Sequence, residues 1–113
     1  MWNWFRKKNY LTASVDELRS ALNAQSPETL FVDVRTETEW RSGHIGPFRH
    51  IPMNELPEHL KELGNYAKVY FLCYSGGRSW RAAKLLADTG HIGAVNVLGG
   101  ISEWIARGYA IEH

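Results

Sequence analysis

Lys68-Val69-Tyr70-Phe71-Leu72-Cys73-Tyr74-Ser75-Gly76-Gly77-Arg78-Ser79 is the stretch whose reading decides the fold. An apolar run of β-formers ends at the chain's one cysteine and a short glycine-bearing loop follows. From Ser79 to Thr89 the pattern turns helical, with Ala82, Ala83, Leu85 and Leu86 on one face and Gly90 as the stop. A strand feeding a helix through such a loop aims several backbone N–H groups at one spot, and that spot suits an anion. The expected occupant is the Cys73 sulfur.

The neighbouring segments extend this pattern in both directions. Thr29-Leu30-Phe31-Val32-Asp33-Val34 reads as a buried strand with Asp33 near its carboxyl end. Ser14 and Glu17 form a capping box ahead of a helix over about 14–23, which a short extended piece from Asn9 precedes. Thr36 and Glu39 form a second box, opening a short helix that Gly43 stops. Phe48 to Ile51 reads as a brief strand closed by Pro52. The spacing of Leu56, Leu60 and Leu63 predicts a helix over 54–63, with Pro57 in its first turns, where a missing N–H costs little. Ala94 to Leu98 is a further strand, and Gly99-Gly100 leads into a helix over 101–107 striped by Ile101, Trp104 and Ile105. Strands alternating with helices predict an α/β fold, a small parallel sheet with helices on both faces.

Composition bounds the function. With 113 residues, 44% hydrophobic and 22% charged, the chain suffices for one core and is expected to form a single domain over 1–113. A formal charge of +1 argues against nucleic acid as a partner. One cysteine allows no internal disulfide or multi-cysteine zinc site, and the five histidines lack ligand spacing, so no metal and no cofactor are expected. No apolar run approaches the roughly 20 residues of a membrane span. Residues 1–8, with Trp2, Trp4 and Phe5 beside Arg6, Lys7 and Lys8, read as an N-terminal extension covering a face of the domain. They lack the apolar core of a signal peptide, so a cytoplasmic location is the expectation.

Phe31-Val32-Asp33-Val34-Arg35, Glu39-Trp40, Gly43-His44-Ile45, the loop from Cys73 to Ser79, and Leu98-Gly99-Gly100 with Trp104 together resemble the rhodanese (sulfurtransferase) family, in the family's order and over roughly 14–110. The resemblance implies that the six-residue loop Cys73 to Arg78 is the active site. It also implies that Cys73 attacks a sulfane sulfur, holds it as a persulfide and passes it on. The implied donor is a molecule such as thiosulfate, and the implied acceptor is thiophilic, such as cyanide or a thiol; a protein persulfide is the alternative partner. Many active members carry a basic residue after the cysteine where this chain has Tyr74, which points to a less charged or protein-borne donor. Around Gly43 to Pro52, Gly46-Pro47-Phe48 stands where Pro-Gly-small is usual.

The chemistry supports the same assignment. Only the thiolate attacks, and an ordinary thiol, with a pKa of about 8.5, is a few per cent ionised at neutral pH. Converging amides favour that anion and would then cradle the outer sulfur of the persulfide. Gly76 and Gly77 are expected to let the backbone curl around it. Arg78 is expected to draw an oxyanion, and Ser75 and Ser79 to donate hydroxyl hydrogen bonds to the pocket or the loop. Four residues separate Cys73 from Arg78, one fewer than in the loop with which protein-tyrosine phosphatases hold phosphate, which argues against phosphatase or arsenate reductase chemistry. Asp33 and Arg35 are expected to support the pocket as a strand-end ion pair, with Arg35 also facing Glu39, and His44 to fix a turn. Trp40, Trp80 and Trp104 read as packing residues, Trp80 being nearest the pocket rim. Two alternatives stay open: a protein-specific persulfide carrier, which shares every one of these residues, and a rhodanese-fold binding or regulatory module.

Overall fold

In the computed structural model, which describes residues 8–113, five strands form one sheet in which every pairing is parallel, in the order β1-β5-β4-β2-β3. The strands are β1 (Leu11–Ala13), β2 (Thr29–Asp33), β3 (Arg49–His50), β4 (Lys68–Leu72) and β5 (Ala94–Val97). The helices are α1 (Val15–Ala24), α2 (Glu37–Ser42), α3 (Leu60–Leu63), α4 (Ser79–Ala87) and α5 (Gly100–Ala106). The aromatic and basic cluster from Trp2 to Lys7 lies outside the described residues. Among the described residues, no helix is long and apolar enough to cross a membrane.

The side-chain alternation of a strand sorts the core into two layers. Val69, Phe71 and Cys73 of β4 and its extension face the layer with Leu56, Leu63, Ala82, Ala83 and Leu86. Tyr70 and Leu72 face the other, with Val15, Leu18, Ile101 and Trp104 of α1 and α5. Asn96 of β5 lies two residues from Ala94 and so shares the α4 side, a buried polar group among apolar ones. Phe71 is fully buried at the sheet centre. Truncating a side chain so placed to alanine costs about 3–5 kcal/mol.

Both capping boxes form. Ser14 and Glu17 exchange hydrogen bonds at the start of α1, and Thr36 and Glu39 do so at the start of α2. The segment expected as one helix over 54–63 differs. Met53–His59 is a 3₁₀ helix, and only Leu60–Leu63 is α-helical. Pro57 lacks the N–H that would complete an α turn, and the tighter winding avoids its ring clash.

The chain order also sets the position of the site. After β2 the chain runs to β3 at one edge, and after β4 it runs the opposite way to β5, so the loops beyond these adjacent strands diverge. In open α/β sheets a ligand crevice opens at such a switch point.

Candidate active site

The loop after β4 is held from outside and points inward. At the start of α5, the Ile101 amide donates to the Cys73 carbonyl at 2.9 Å and the Ser102 amide to the Tyr74 carbonyl at 3.0 Å. This close approach requires Gly100, where a Cβ would lie 2.4 Å from the Tyr74 oxygen. With two carbonyls turned away, the following amides turn to the sulfur. Gly76 donates to Cys73 Sγ at 3.0 Å, and Arg78 and Ser79 each donate at 3.4 Å. Gly76 adopts φ +105°, which an L side chain rarely tolerates. Gly77 is different: its φ is not positive and a Cβ there would meet open space, so the curl rests on Gly76 alone.

Ser79 completes the cradle. Its hydroxyl accepts from the Cys73 thiol at 3.3 Å and donates to Asn96 Oδ1 at 2.5 Å. Burial pushes the Cys73 thiol pKa up, and its hydrogen bonding with the Ser79 side chain and with the Ser79, Arg78 and Gly76 amides outweighs that, so the net shift is downward. Asn96 was not singled out by sequence; a polar residue within the apolar Ala94–Val97 strand was the signal available. The Ser75 hydroxyl makes no hydrogen bond among the described residues and Ser75 is exposed, as is Tyr74 at 54%. Trp80, at 38%, lies in the first turn of α4 and lines a hollow with Met53, Arg81, Lys84, Leu85 and Asp88 rather than the loop.

Arg78 departs from expectation. Instead of facing an open pocket, its guanidinium makes a two-pronged pair with the Glu39 carboxylate, Nη1 to Oε1 at 2.7 Å and Nη2 to Oε2 at 2.9 Å. Glu39 thus serves twice, since its Oε1 also accepts from the Thr36 amide and hydroxyl. The Arg78 hydrogen bonds hold its carboxyl at about 2, against a burial effect in the opposite sense. The pair joins α2, which follows β2, to the loop that follows β4, and so spans the crevice at the switch point. Beside it lies a cavity of about 420 Å³ lined by Val34, Thr36, Glu37, Met53, Glu55 and Arg78, among others.

Asp33 and Arg35 do not line that cavity. Both are buried, and the Asp33 carboxylate is engaged by the Arg35 backbone amide, Nε and Nη2 at 2.8–3.0 Å. Arg35 does not pair with the Glu39 carboxylate; it donates to the backbone carbonyls of Glu39 and Gly43, and thereby fixes α2. The His44 Nδ1–H donates to the Trp40 carbonyl at 2.9 Å, and the ring stacks on Trp40 at 3.8 Å. His50 stacks on Trp40 as well, at 4.9 Å, so Trp40 packs between two imidazoles. Trp104 is buried against the α1 side of the core and donates to the Ala110 carbonyl.

A parallel α/β domain that places one cysteine under the amides of a strand-to-helix loop, at the sheet's switch point, defines a class of proteins with a thiol-centred site. The chain belongs to the rhodanese-like domain family, whose model matches residues 14–107. A protein of Allochromatium vinosum named sulfurtransferase is 33% identical over 88 residues, covering 78% of this chain and 82% of that one. YrkF of Bacillus subtilis is 34% identical over 83 residues, but the match spans 73% of this chain and only 45% of YrkF. Among solved structures, SSP1007 of Staphylococcus saprophyticus superposes with a TM-score of 0.76 at 35% identity, covering 91% of this chain and 99% of the other. A rhodanese-related protein of Thermoplasma volcanium gives 0.78 at 31%, covering 91% and 98%.

Proposed function

We propose that the protein is a sulfurtransferase that carries a sulfane sulfur on Cys73. The observation that carries this reading is the convergence of three backbone amides on a single thiol sulfur. With thiosulfate as the simplest donor, the Cys73 thiolate attacks the sulfane sulfur. A new S–S bond forms, the bond to the sulfonate sulfur breaks, and sulfite leaves with its electron pair. The persulfide then meets a thiophilic acceptor, a thiolate or cyanide, which takes the outer sulfur and returns the Cys73 thiolate. No outside oxidant or reductant enters the cycle.

The geometry supports both halves of it. Cys73 is 1% exposed, and adding a second sulfur carries the reacting atom about 2 Å beyond Sγ. The amides that lower the thiol pKa face the charge that the persulfide inherits, so one arrangement favours attack and intermediate alike. The four intervening residues between Cys73 and Arg78 suit one sulfur atom rather than a tetrahedral phosphate. A second reading, a carrier that accepts sulfur only from a protein persulfide, is favoured by the exposed rings of Tyr74 and Trp80. The intact nucleophile and cradle count against a purely regulatory module.

Intact-protein mass measurement tests the proposal. After incubation with thiosulfate the chain is expected to gain the mass of one sulfur, and Cys73→Ser to gain none. Loading only by a protein persulfide selects the carrier reading. Failure to load with any sulfane donor overturns both.

A further inference from the structure

The electrostatics of the crevice point to the charge of the donor. We propose that Glu39 is a specificity-determining residue: by clamping Arg78 across the crevice it turns the site away from thiosulfate-like dianions and toward sulfane donors of low charge, such as the persulfide of a thiol. This deepens the sulfur-transfer reading and rests on it.

Four observations carry the inference. The two-pronged pair cancels the one guanidinium at the loop, with both Arg78 nitrogens on the Glu39 oxygens. The adjoining cavity of about 420 Å³ adds acids rather than bases, since Arg78 is its only cationic lining residue while Glu37 and Glu55 both contribute to its wall. Glu37 itself pairs with Arg41, which leaves Glu55 as a carboxylate with no paired cation among the described residues. Tyr74, next to the nucleophile, brings an exposed ring and no charge. The other arginine near the switch point, Arg35, is buried and spent on Asp33 and two carbonyls.

The chemistry makes the difference large. When the Cys73 thiolate meets thiosulfate, three negative charges come together beside a wall that supplies no free cation. When it meets a persulfide in its reactive protonated form, R–S–SH, only the thiolate charge is present, and even the ionised form R–S–S⁻ brings one charge fewer than thiosulfate. In that step Cys73 Sγ bonds to the outer sulfur, the S–S bond of the donor breaks, and the electron pair leaves on the R–S thiolate. The product is the Cys73 persulfide with its proton on the outer sulfur, and charge is conserved throughout. Unit charges a few ångströms apart near a protein surface interact strongly enough to move a binding constant by tenfold or more.

Glu39→Gln is the test, because glutamine keeps the capping box with Thr36 while removing the charge. The readout is kcat/KM for thiosulfate relative to cysteine persulfide, with one acceptor throughout. Glu39→Gln is expected to shift that ratio by about tenfold toward thiosulfate, mainly through KM. In the wild-type protein the KM for thiosulfate is expected to hold or fall as NaCl is added, because salt screens repulsion, whereas in the variant it rises with salt, as a freed Arg78 requires. An unchanged ratio in a variant that still loads sulfur from both donors would overturn the role of Glu39 and leave sulfur transfer standing. A wild-type KM for thiosulfate that rises with salt would overturn it without any variant. If neither donor loads Cys73 in the wild-type protein, sulfur transfer itself falls, and this proposal with it.

Discussion

Two acid–arginine pairs stand a few residues apart in this protein and have little else in common. Asp33–Arg35 is local, with side chains 0% and 4% exposed, and every oxygen and most donors are committed. Glu39–Arg78 joins residues 39 apart in sequence and is about a third exposed on each side, at 31% and 35%. The first lies inside the molecule, where a charge left alone has no water to turn to. The second sits at the mouth, where solvent screens it and where breaking it changes what the opening attracts. Burial, rather than residue type, decides which pair holds the fold and which acts on the chemistry.

The sharpest way to break this contrast is to remove one acid at a time. Asp33→Ala leaves the Arg35 guanidinium buried without its counter-ion, and the loss expected in urea unfolding is about 3–5 kcal/mol. Glu39→Gln at neutral pH is expected to cost at most about 1 kcal/mol by the same measurement, since the pair is partly solvated and the helix cap survives. A similar loss from both variants would end the distinction. Acid separates the wild-type protein from Glu39→Gln further. Because the folded-state carboxyl of Glu39 is held at about 2, below its ordinary 4.5, its contribution is complete above pH 4.5. It is expected to fade as pH falls from there toward 2, so the stabilities of the two proteins converge over that window. The smallest effect concerns salt. At about 1 M NaCl, where the screening length is near 3 Å, the stability difference between wild type and Glu39→Gln is expected to shrink, while that for Asp33→Ala holds.

Much of the architecture was legible in the sequence because it is written in local terms. The apolar runs of β2, β4 and β5 and the capping boxes at Ser14 and Thr36 each specify an element from a few neighbouring residues. The switch to 3₁₀ winding at Met53 was not, since leucine spacing fits either helix and the effect of Pro57 depends on how the segment packs. In the candidate site the buried cysteine and its loop were equally plain, for strand, glycine and helix follow one another directly. The partner of Arg78 was hidden. Glu39 announces itself as a capping residue, and nothing within four residues of it signals that its second oxygen reaches a guanidinium in another loop. Asn96 was hidden for the same reason, because its link to Ser79 exists only once β5 lies beside β4.

The anchoring of the loop from α5 has a consequence for how the site can be altered. Its grip is on main-chain carbonyls of Cys73 and Tyr74, while the side chains at 74 and 75 project outward and position 77 has empty space above it. Three positions around the nucleophile are therefore open to exchange without disturbing the thiol or its amides. A library randomised at 74, 75 and 77 would vary the outer face of the loop almost independently of folding.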